Sequence, residues 1–142
     1  KLGSLYQKVG AFCRYHTTLE PKLSELAIII VARHWNQSVE WRAHQPLALK
    51  AGLDPSIAAA IESHETPHFE DDREDAVYSV VNEVLETKKL RQATYDRALA
   101  VLGEQTLFEL TGIAGYYLSI ALQMNCFAVG IPEGAEPRLK GT

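Results

Sequence analysis

Glu25, Glu40 and His44 are the residues of this 142-residue chain whose types and spacing suit proton chemistry. Glu40 and His44 are four apart, so on a helix turning ~100° per residue they lie ~40° apart on one face and can touch. Glu25 sits beside the most apolar run of the chain, Leu26-Ala27-Ile28-Ile29-Ile30-Val31-Ala32. A turn near Asn36 and Gln37 would fold two helical arms into an antiparallel hairpin. A rise of ~1.5 Å per residue then puts Glu25 ~16 Å and His44 ~11 Å below the turn, with Glu40 only ~5 Å below it. Glu25 and His44 become cross-arm neighbours, and Glu40 reaches His44 along its own helix. A carboxylate, imidazole, carboxylate chain can hold or relay a proton: a neighbouring carboxylate raises the imidazole pKa, and burial raises that of a carboxylate.

The same residues admit plainer roles, and the sequence leaves these open. Glu25 lies early in its helix, where the macrodipole favours a carboxylate, and Glu40 with His44 has the spacing of an ordinary surface pair. A metal site would need a third ligand from Glu25 or a distant histidine. No zinc-like spacing is present, so no metal and no other cofactor is expected.

The elements that must position these residues follow from periodicity. The first arm, residues 21–35, is apolar on every helical face and should be buried all round. The second arm spans residues 38–51, with Gly52 as its left-handed closing residue. Asp54 and Pro55 read as N-cap and first residue of a short helix through Ile57, Ala60 and Ile61. Before the hairpin, residues 4–15 space Leu5, Val9, Phe12 and Cys13 at helical intervals, a short amphipathic helix. After it, residues 63–72 are polar and interrupted by Pro67. His64 and His68 therefore read as exposed loop histidines, not a helical metal pair.

Residues 75–90 carry the stripe Ala76, Val77, Val80, Val81, Val84 and Leu85, a helix packing on the core. Thr94 suits the cap of a further helix through Ala98 and Leu102, ended or interrupted by Gly103. Residues 104–127 form a long, mostly apolar segment. Glu109, Gln123 and Asn125, with no basic flanks, favour a buried or subunit-contacting helix over a membrane span. Gly112 and Gly115 would allow close helix approach. The tail from Gly130 holds too many Pro and Gly residues for regular structure. No segment alternates as a strand would, so the chain is expected to be all-α.

At 15.8 kDa the chain fits one domain over residues 1–142, long enough to bury a real core. Its 46% hydrophobic and 23% charged residues and net charge of -4 describe a globular protein and argue against disorder. The one dense basic run, Lys88-Lys89-Leu90-Arg91, reads as a helix C-terminus, so no nucleic-acid partner is expected. Cys13 and Cys126 lie too far apart in sequence for a C-x-x-C redox motif. The start shows no leader pattern, and a cytoplasmic location is expected.

The stretches SELAIIIVARHWNQSVEWRAHQPLALKAGLD, LGEQTLFELTGIAGYYLSIALQMNCF and VGIPEG together resemble the carboxymuconolactone decarboxylase-like family, which includes the alkylhydroperoxidase-D-like proteins. The resemblance covers nearly the whole chain. It implies an all-helical bundle built on the hairpin, assembled as trimers or hexamers with sites near subunit interfaces. In the thiol-dependent branch the pattern is Glu, eleven residues, Cys, two residues, Cys, three residues, His. Here Glu25, Gln37, Glu40 and His44 stand at those intervals. Both cysteines are replaced, and neither Gln nor Glu can attack a peroxide or resolve a disulfide. In the decarboxylase branch a Glu-x-x-x-His on the second arm resembles Glu40 and His44.

The expected activity is therefore cofactor-independent decarboxylation or proton transfer on a small carboxylated lactone or related acid. His44 would hold the developing enolate oxygen, Glu40 return a proton to carbon, and Glu25 orient His44. Trp35, Trp41, Tyr116 and Tyr117, with Gln37, are candidates for the pocket wall. Two alternatives stand beside this: a thiol-dependent peroxidase or oxidoreductase drawing on Cys13 or Cys126, and a non-catalytic oligomeric binding protein. No membrane association is expected.

Overall fold

Eleven of the fourteen residues in one helix, Pro21–His34, are buried, and the rest of the chain is arranged around it. The computed structural model describes residues 1–135 and 139. Among these it contains helices and no strand: α1 (Leu2–Tyr15), α2 (Pro21–His34), α3 (Ser38–Lys50), α4 (Pro55–Glu62), α5 (Asp72–Thr87), α6 (Gln92–Leu102) and α7 (Glu104–Cys126). Among the described residues the all-α expectation holds, and no helix there is long and apolar enough to cross a membrane.

Helix α2 is central because it has no polar face to show to water. Leu23, Leu26, Ile28 and Ile29 are essentially inaccessible, and burying each contributes roughly 1.5–3 kcal/mol. It packs against α3, α5 and α7, with smaller contacts to α4 and α1. Glu20 provides its extended N-cap backbone and Pro21 occupies the first turn, where a missing N–H costs little. Lys22 bridges from that turn to Glu74 at 2.8 Å and Asp71 at 3.2 Å, joining the starts of α2 and α5.

The α2–α3 turn is fixed by side chains. Asn36 takes the left-handed conformation, φ 49°, which Asn tolerates better than most residues. Gln37 caps α3, its side-chain oxygen accepting from the Val39 amide at 2.8 Å. Its amide nitrogen donates to Asn125 Oδ1 at 2.8 Å, and Asn125 donates to the Trp35 carbonyl at 2.9 Å. The turn is thereby anchored to the end of α7. Pro46 sits inside α3 on an exposed stretch, where water can reach the Arg42 carbonyl that its missing N–H leaves free.

Several sequence expectations shift. The stripe Leu5, Val9 and Phe12 of α1 is at least half exposed, while Gly10 and Cys13 are the residues this helix buries. Helix α5 runs Asp72–Thr87, three residues earlier than expected at each end. Asp71 accepts from the Arg73 amide as its N-cap, and Lys88 turns left-handed at φ 63° to end it. Thr94 lies inside α6 and is not its cap; its hydroxyl donates to Glu83 of α5. Added Cβ atoms at Gly112 and Gly115 would meet nothing within 4 Å, so no neighbouring helix approaches there within this chain. Asp54 caps α4 through the Ser56 amide and Gly52 is left-handed at φ 98°, as their positions implied. Of the irregular tail, residues 136–138 and 140–142 lie outside the described residues.

Candidate active site

His44 Nδ1 lies 2.7 Å from Glu25 Oε2 across the hairpin, and His44 Nε2 lies 3.4 Å from Glu40 Oε2 one turn back along α3. The three side chains are buried, each no more than 8% exposed. The two contacts differ in kind. The first is a short hydrogen bond that fixes the ring; the second is at ion-pair distance and leaves Nε2 the freer nitrogen.

Burial by itself would lower the His44 pKa. The hydrogen bonds and charges of Glu25 and Glu40 outweigh it, and the net shift is upward from 6.5. The two carboxylates therefore stabilise the protonated imidazole more than burial disfavours it.

The Tyr117 ring stands edge-on to His44 at 5.0 Å between centroids and 82° between planes, and Tyr116 meets Tyr117 in the same manner at 5.1 Å. Burial raises both phenol pKa values, so the two hydroxyls stay protonated. Glu40, His44, Tyr116, Tyr117 and Ile120 line an open cleft of about 330 Å³, completed by the inner face of α1. That volume admits a small organic acid.

The approach of α1 depends on Gly10. A Cβ there would fall on the Tyr116 hydroxyl and lie 2.8 Å from its Cζ. The link from α1 to α2 is pinned onto α7 by Thr18, whose amide and hydroxyl donate to Glu109 at 2.6 and 2.7 Å.

Of the sequence-derived wall candidates, Tyr116 and Tyr117 line the cleft and Gln37, Trp35 and Trp41 do not. Trp41 is 2% exposed and belongs to the hydrophobic core, Trp35 packs against that core, and Gln37 is the cap and tie described above. Sequence reasoning missed Gln7, Gly10 and Arg14. Their helical spacing was available as a signal, but they lie off the apolar stripe that drew attention to α1.

Cys13 is buried and burial pushes its thiol pKa up, away from the reactive thiolate; Cys126 is exposed. Neither lines the cleft. Among the described residues no group of three or more His, Cys, Asp or Glu side chains is placed to hold a metal ion, and His64 and His68 are exposed. A second recess of about 220 Å³ is bordered by Arg33, His34, Tyr78, Asn82 and Glu86; there burial lowers the His34 pKa.

Comparison of the chain with protein-family models, with curated proteins and with solved structures finds no match to any of them.

Proposed function

We propose that this cleft is the site of a cofactor-independent acid–base enzyme, of the carboxymuconolactone decarboxylase-like kind, acting on a small carboxylated lactone or related acid. The observation that carries the reading is the buried His44 held at Nδ1 by Glu25, reached at Nε2 by Glu40, and facing a cleft walled by aromatic rings.

In the proposed reaction the C–C bond to a substrate carboxylate breaks and releases carbon dioxide, leaving its electron pair in a dienolate. The rings of Tyr116 and Tyr117 solvate a charged carboxylate less well than water does and so favour its conversion to neutral carbon dioxide. Protonated His44 donates through Nε2 to the enolate oxygen, where charge develops. A proton from the Glu40–His44 pair then goes to carbon, and solvent restores it. Glu25 touches no reacting atom in this scheme and acts as a positioning residue for the ring.

A thiol-dependent peroxidase has less support, since both cysteines are off the cleft and Cys13 is disfavoured as a thiolate. We also propose a homo-oligomer, a trimer or hexamer by the family resemblance. Leu2, Leu5, Val9 and Phe12 along α1, with Phe108 and Phe127 of the α7 region, are 51–81% exposed apart from Val9 at 50%, more large apolar surface than a small monomer usually shows. A monomer by light scattering at micromolar concentration would contradict that part.

The central test is a screen of purified protein for carbon dioxide release from small lactone acids, run beside a peroxide-consumption assay. Decarboxylation lowered ~10²-fold or more by His44→Gln supports the reading. Peroxide turnover lost on replacing Cys13 would instead establish the thiol chemistry.

A further inference from the structure

Gln7, Gly10, Ala11, Arg14 and Tyr15 of α1 close the cleft on the side opposite the chemistry-bearing residues of α3 and α7. They recur at helical intervals, so one continuous face of α1 is the third wall. Arg14 stands in the last turn of that helix, where the carbonyl end of the macrodipole favours a cation. Among the described residues it is the only Lys or Arg that lines the cleft. Its guanidinium lies 5.1 Å from the centroid of the Tyr15 ring, and among the described residues no carboxylate comes within ion-pair distance of it.

The charge of the cleft makes that cation consequential. Glu25 and Glu40 count formally as two negative charges and His44 as at most one positive, so the cluster alone repels an incoming anion. A cleft that admits a carboxylate therefore needs a compensating positive group. The influence of Arg14 reaches far enough inward to favour the ionised forms of Tyr116 and Tyr117, against the larger effect of burial.

We propose that Arg14 is the specificity-determining residue of the cleft: its guanidinium pairs with a carboxylate of the small acid bound there and turns the rest of that molecule toward His44 and Glu40. This rests on the reading of the cleft as an acid–base site. The carboxylate it grips is one that the reaction leaves in place, because a guanidinium paired with the departing carboxylate would stabilise the reactant more than the transition state. The planar fork of donors suits a carboxylate in two parallel hydrogen bonds, which a lysine at the same place would not reproduce.

The test is a binding measurement without turnover, so it separates this inference from the decarboxylase reading. Calorimetric titration compares paraconate, a saturated lactone carrying one carboxylate, with its methyl ester. The full chain should bind the acid at least ~10-fold more tightly than the ester. Arg14→Gln should abolish that preference while leaving ester binding within about twofold, and Arg14→Lys should keep only part of it. Lys8→Gln, which removes a charge from α1 off the cleft, should leave the preference intact. His44→Gln should still prefer the acid even with its turnover lowered. The inference is overturned if the unaltered chain shows no preference for the acid, if Arg14→Gln retains it, or if Lys8→Gln removes it equally. Failure of the carbon dioxide assay alone would not alter any of these results.

Discussion

Glu25 and His44, nineteen residues apart in sequence, meet at 2.7 Å inside the hairpin, whereas the Glu40 carboxylate on the helix of His44 itself stands at 3.4 Å from the other ring nitrogen. The tight contact orients and the loose one remains open to exchange. Substitution should separate these parts. His44→Gln is expected to lower turnover by ~10² to 10⁴, and Glu40→Gln comparably, because both handle protons at the substrate. Glu25→Gln should cost about tenfold and chiefly displace the pH profile, since Gln can still accept from Nδ1 but supplies no charge. Steady-state rates on the substrate identified by the carbon dioxide screen decide this; unchanged activity in His44→Gln would end the acid–base reading.

The upward shift of His44 gives a pH dependence with a definite sign. A histidine whose folded pKa exceeds its unfolded value of about 6.5 adds stability that is complete below that value and disappears as pH rises through the folded pKa. The stability advantage of the unaltered chain over His44→Gln should therefore be larger at pH 6 than at pH 9. Proton NMR of the imidazole should place its midpoint above 6.5, and in Glu25→Gln below the unaltered value, because burial then acts with less opposition. A midpoint under 6.5 in the unaltered chain would contradict the arrangement.

Gly10→Ala sets two known effects against each other. Helix propensity favours Ala by ~1 kcal/mol, but the new Cβ collides with the Tyr116 hydroxyl, and overpacking of this kind costs roughly 1–3 kcal/mol. Net destabilisation is expected, partly relieved by Tyr116→Phe in the same chain, and a double-mutant cycle in denaturant measures the coupling. A Gly10→Ala protein more stable than its parent, with no coupling to Tyr116, would show that α1 does not sit against α7 in this way.

Glu83 joins α5 to α6. Its carboxylate is held at a pKa of about 2 first by the Arg91 side chain, then by the Thr94 hydroxyl and the Arg91 amide. A depressed carboxylate contributes stability above its unfolded pKa, near 4.5, and loses it as pH falls from there through about 2. Glu83→Gln should thus lower the Tm at pH 7, and the gap to the unaltered chain should close as the medium is acidified toward pH 2. A gap independent of pH would refute the assignment.

Replacing Cys13 and Cys126 together by Ala should leave any decarboxylation within a few-fold, the expected result when no thiol touches the reacting atoms. Loss of turnover in a double variant that still folds, judged by circular dichroism, would return the thiols to the mechanism.

Much of the hairpin was legible in sequence because it rests on local rules. A run apolar on every face has only the interior to occupy, which settled the central place of α2, and helical rise and a short turn were enough to pair Glu25 with His44. Asp54-Pro55 announced α4 because a capping side chain and a fixed φ act within a few residues. Thr94 misled for a related reason: a Thr suits a cap by local chemistry, but Glu83, eleven residues back on another helix, took its hydroxyl.

What tertiary structure alone decided is which way a face points. Periodicity shows that Leu5, Val9 and Phe12 share a stripe; only the packing of α1 on α7 turns that stripe outward and presents Gln7, Gly10 and Arg14 to the cleft. The same holds for the aromatics, since Trp41 and Tyr117 are equally suited by composition to core or wall. Trp41 fills the interior beside α2, and Tyr117 meets the His44 ring because α7 crosses there. Sequence determines the helices and the side chains that lie within one or two turns of each other. The contacts that make a cleft of them join α1, α3 and α7, and their geometry depends on how three separately specified helices share one core.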